Sequence, residues 1–120
     1  MSRDGSLQLK WADGEYSFRL GWGEIEQLQE TMDCGPQVML SRLLDGSWRI
    51  GDIAHVIRLG LMGGGMPASE AASKVDYYVK QRPIAENVTH AVAILQVALF
   101  GVPDEEVGGD TPGNLDAPSA

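Results

Sequence analysis

Four features of this chain have side chains or spacing that could do chemistry. They are Cys34, the histidines His55 and His90, the glycine run Gly63–Gly65, and a carboxylate-rich stretch beyond Pro103. Cys34 stands just before Gly35-Pro36 at a helix start, a position that would suit the nucleophile of a small Cys-dependent enzyme. A nucleophile also needs a base, and neither histidine is placed beside it by sequence. The competing reading is a small apolar residue in a corner between helices. The histidines form no His-x-x-x-His pair and join no Cys or carboxylate cluster with ligand spacing, so they read as solvated surface side chains. His90 has Glu86 one turn earlier as a pairing partner. The glycine run lacks the Lys-Ser/Thr of a phosphate loop and does not lie between a buried strand and a helix, so it reads as a tight interhelical connector. No catalytic residue, cofactor or metal ligand is assigned.

Those residues hang on a framework whose clearest part is residues 5–21. Polar and apolar side chains alternate there and fold back at Asp13-Gly14, a preferred pair for a two-residue turn. A turn at that pair sets Ala12 opposite Glu15, Trp11 opposite Tyr16, Leu9 opposite Phe18 and Leu7 opposite Leu20. Gln8, Arg19, Lys10 and Ser17 share the other side. Because alternation has period two, a one-residue slip would turn all six apolar side chains to water. An isolated hairpin is marginal, so helices must cover its apolar face.

Helical sequence follows over residues 23–101. Gly21-Trp22-Gly23 reads as a hinge, then Glu24 to Met32 as a helix with Glu24 and Glu26 in its first turn. Pro36 opens a second helix through Leu44, closed by Asp45-Gly46. A third starts with Asp52 as N-cap and runs to Met62, carrying Ile53, Val56, Ile57, Gly60 and Leu61 on one face. A fourth spans Ala68 to Gln81, burying Ala71, Ala72, Val75, Tyr78 and Val79. The fifth and longest runs from Ile84 to Phe100, with a core stripe of Ile84, Val88, Ala91, Val92, Leu95 and Leu99. Trp22 and Trp48 read as core anchors. Met62, Met66, Val97 and Phe100 form a candidate partner-binding patch, with contacts to the hairpin as the alternative.

The fold class is therefore mainly α (α+β), a β-hairpin on about five helices. Residues 1–102 form a single domain and residues 103–120 read as a disordered acidic tail, an inert terminus or a partner hook. A net charge of -8 and a pI near 4.5 argue against nucleic-acid binding and fit a soluble protein that avoids self-association or meets a basic or apolar partner. No apolar run reaches membrane-span length, no secretory signal is visible, and one cysteine suits a reducing compartment; the expectation is a cytoplasmic protein.

The wording of several segments is also familiar. Asp13-Gly14-Glu15-Tyr16-Ser17-Phe18-Arg19-Leu20-Gly21 leads into Gly23-Glu24-Ile25-Glu26-Gln27-Leu28. Gly46-Ser47-Trp48-Arg49-Ile50-Gly51-Asp52-Ile53 leads into Ile57-Arg58-Leu59-Gly60-Leu61-Met62-Gly63-Gly64-Gly65. Arg82-Pro83-Ile84-Ala85-Glu86-Asn87-Val88 and Ala93-Ile94-Leu95 through Gly101 follow. Together, over about residues 5–101, they resemble the gene transfer agent family encoded in the tail module of phage-like particles of alphaproteobacteria. Gln27 and Gln29 depart from the more acidic motif expected around Leu28. The resemblance implies tail morphogenesis, as an assembly chaperone that holds the tape-measure or tail tube protein before assembly. A minor structural tail protein retained in the particle is the alternative, and self-association is open.

Overall fold

The computed structural model describes residues 5–101. The acidic segment 103–120 lies outside them, as do residues 1–4. Strands β1 (Ser6–Trp11) and β2 (Gly14–Arg19) form an antiparallel ribbon. Helices α1 (Trp22–Met32), α2 (Pro36–Asp45), α3 (Ile50–Gly63) and α4 (Ala68–Tyr78) follow. A 3-10 turn (Ile84–Asn87) then leads into α5 (Val88–Phe100). The expected hairpin with five helices is what the chain forms.

The hairpin turns one residue earlier than Asp13-Gly14. Ala12 and Asp13 are the loop, Trp11 opposes Gly14, Leu9 opposes Tyr16 and Leu7 opposes Phe18. Ala12 takes the positive φ of 57° that the loop requires. Interactions at the tip favour this register: the Tyr16 hydroxyl bonds the Asp13 carboxylate, and Lys74 pairs with the same side chain at 3.4 Å. The shift moves β2 by two residues against β1, so partners change while faces do not. Leu20 falls beyond the strand yet remains 2% exposed.

Helix α3 is the centre of the molecule. Eight of its fourteen residues are buried, and it packs against β2, α1, α4 and α5. Its tail explains the glycines. A Cβ on Gly63 would lie 1.8 Å from the Arg19 carbonyl oxygen, and one on Gly64 would lie 2.0 Å from that of Ser17. The run is therefore a backbone-to-backbone seat for β2 as well as a helix end. On the ribbon's other side α5 runs antiparallel along β1. His90 Nε2 lies 3.1 Å from the Lys10 carbonyl oxygen, and a Cβ on Gly5 would stand 3.6 Å from Ala98 Cα. Both long edges of the ribbon are therefore contacted by helical elements.

Helix α1 begins at Trp22, inside the expected hinge, rather than at Glu24, and three further helix boundaries differ from expectation for identifiable reasons. Helix α3 begins at Ile50 with Arg49 as its cap, so Asp52 is inside the first turn, where its carboxylate still accepts the Arg49 N–H at 2.8 Å. Helix α4 ends at Tyr78 and α5 starts at Val88, because Asn87 is held elsewhere. Its amide donates to the Tyr78 carbonyl at 3.2 Å and accepts the Trp11 indole N–H at 2.7 Å. Ala72, expected inside, is exposed.

Candidate functional site

The residues with chemical potential do not converge. Cys34 is half-buried, and its sulfur receives an N–H from Arg42 Nη2 at 3.2 Å. That guanidinium belongs to a bidentate pair with Asp52, Nη2 to Oδ1 at 2.7 Å and Nε to Oδ2 at 3.0 Å. The hydrogen-bonded carboxylate holds Arg42 protonated well above the ordinary arginine range. Asp52 is fully buried and its two oxygens are shared between Arg42 and the Arg49 backbone, so the pair ties the α2 and α3 helix ends together. This network was not read from sequence. The signal was present as a charged residue at each of two helix ends, but nothing in spacing showed that they meet.

His55 and His90 are half-buried rather than solvated. Burial, aided by Arg58 and Lys80, pushes the His55 imidazolium pKa down. Arg58 Nη2 lies 3.2 Å from His55 Nδ1. Glu86 pairs with Arg82 at 3.1 Å, while His90 turns to the Lys10 carbonyl. Among the described residues no group of three or more His, Cys, Asp or Glu could hold a metal ion, and no helix is long and apolar enough to cross a membrane.

Of the candidate patch residues Met62, Met66, Val97 and Phe100, one is buried, two are half-buried and one is open. Val97 is only 8% exposed, because β1, α2 and α3 all pack on α5 and leave no open side at that position. Met62 and Met66 are half-buried against the core, and Phe100 alone is open, at 67%. Trp48 packs on the core as expected, whereas Trp22 is 84% exposed. Helix α1 begins at Trp22 itself and buries Leu28, so its first residue projects outward.

Exposed apolar side chains stand at four other places, one of them Tyr77 on α4. Val38 and Leu44 lie on α2, which packs beside the α5 that carries Phe100. Trp22 stands at the start of α1. Ile50 forms the lip of a cleft of about 450 Å³ lined by Gly51, Ala54, Val79 and Ile84, with His55, Lys80 and Arg82 around it. Fold and surface together define a mainly helical module with a capped β-ribbon that exposes several large apolar side chains.

A family model described as phage tail tube protein, GTA-gp10, matches residues 4–101. No curated protein and no solved structure matches the chain. The chain belongs to that family, and is a gene transfer agent tail-module protein.

Proposed function

We propose that this protein is a tail assembly chaperone, which holds the tape-measure or tail tube protein before the tail polymerises. The observation that carries this reading is the coverage of both ribbon edges. A protomer that joins a ring by strand pairing needs an open edge, and here α5 covers β1 while Gly63 and Gly64 seat on β2. Helices are what remain for recognition. Phe100, with Val38 and Leu44 on the adjoining helix, offers apolar area to a helical partner, and the negative charge of the chain keeps the pair in solution. The work belongs to the cytoplasm, before particles are complete.

The family's description as a tail tube protein favours a second reading, a tail component that stays in the particle. Quantitative mass spectrometry of purified particles separates the two. A chaperone is absent or far below one copy per tail ring, and stoichiometric retention overturns the proposal. Co-purification with the tape-measure and tube proteins supplies the positive test, with Phe100→Glu expected to weaken capture while leaving the fold intact.

A further inference from the structure

Two surfaces left over by that reading complement each other. The first is Trp22, 84% exposed at the N-terminus of α1. Glu26 and Glu30 follow it at four-residue intervals on the exposed side of a helix that carries no Lys or Arg. Its indole is therefore flanked by carboxylates for which no cation is supplied from the same helix. The second is the cleft beyond Ile50. Its floor is apolar, its volume suits a large side chain, and every ionisable residue lining it is basic in type: His55, Lys80 and Arg82. The direction of the His55 shift agrees, since neighbouring cations add to burial in disfavouring its protonation. Lys80 and Arg82 pair with Asp76 and Glu86 one turn away, but these are exposed i,i+4 pairs that readily re-form with a better partner.

We infer that the occupant of this cleft is Trp22 of a second copy of the chain. The indole would lie on Ile50, Ala54, Val79 and Ile84, with Lys80 or Arg82 over its face as a cation–π contact. Glu26 would meet the remaining basic side chain at the rim. Both halves of the contact sit on one chain, so the chemistry of the partner is read from the molecule itself. Filled reciprocally, the contact is isologous and closes as a two-fold dimer; filled in one direction only, it is heterologous and extends head to tail.

Sedimentation velocity on the purified full chain, from micromolar to about 1 mM, tests this without any tail protein present. Wild type is expected to associate reversibly, and less so at high salt as the charged rim is screened. Trp22→Ala and Ile50→Glu, both at exposed positions that the core does not need, should each weaken association by about tenfold or more. Mixing the two variants is the decisive arm. Trp22→Ala keeps a cleft and Ile50→Glu keeps an indole, so the mixture should form a mixed species that neither forms alone. A chain that stays monomeric throughout, or association indifferent to both substitutions, overturns the inference. So does loss of association with Phe100→Glu alone, which would place self-contact on the face assigned to tail partners. Failure here leaves the co-purification result unaffected, and the reverse holds too.

Discussion

At the scale of single residues, the buried Arg42–Asp52 pair is the most consequential feature that spacing did not reveal. Its members are ten positions apart on different helices, and the short connection 46–49 between α2 and α3 brings those helix ends together. The asymmetry of exposure predicts an asymmetry of cost. Arg42→Met leaves the fully buried Asp52 carboxylate without its cation, and should destabilise by about 3–5 kcal/mol. Asp52→Asn should cost less, because Arg42 is partly open to water. Urea melts of the two variants and their double mutant check this, with the double mutant expected to recover part of the loss. His55 gives a second prediction with a defined sign. Its folded pKa is depressed below the ordinary 6.5, chiefly by burial, so the neutral form is the one the fold favours. The stabilisation is fully present above pH 6.5 and is lost as pH falls through the depressed folded value. Melts of wild type and His55→Gln should therefore diverge below about pH 6.5 and run parallel above it.

At the scale of elements, the sequence carried the architecture because alternation and helical spacing both report burial. All five helices and the apolar face of the ribbon were legible in it. Register was not, since a turn shifted by one residue preserves every face and only changes partners. Turn chemistry favoured Asp13-Gly14, and tertiary bonds from Tyr16 and Lys74 to Asp13 favour the earlier loop. Ala12 separates the alternatives. In a strand, Ala12→Gly would weaken the ribbon; at φ 57° it should relieve strain and stabilise by about 1 kcal/mol. Exposure along α5 was less legible than the core, because amphipathic spacing assumes one covered side and α5 is covered on several, so Val97 is buried. Glycines offer a further contrast. Gly63→Ala or Gly64→Ala places a methyl group into strand backbone and should destabilise by about 1–3 kcal/mol or more, by thermal melt. Gly23→Ala, inside α1 with nothing within 4 Å of its added carbon, should instead stabilise by about 0.5–1 kcal/mol.

At the scale of the whole molecule, the ribbon and helices depend on each other. A two-stranded hairpin alone is marginal in water, and this one gains persistence from what lies against it. Trp11 is the link, packed edge-on against Tyr16, Phe18 and Tyr78 at 5.8–6.1 Å and bonded to Asn87. Phe18, fully buried, meets Gly60 of α3. Opening the hairpin would expose those rings together with the α3 surface they cover, so no low-energy route frees the ribbon by itself. Native-state hydrogen exchange should then show the ladder amides of β1 and β2 opening with the same free energy and denaturant dependence as the amides of Val56 to Leu59 in α3. Ladder amides that exchange through a separate, shallower opening would identify the ribbon as a detachable unit. In that case its edges would become available for strand pairing, and incorporation into a ring would displace the chaperone role as the favoured reading. The exchange experiment thus bears on function as directly as on folding.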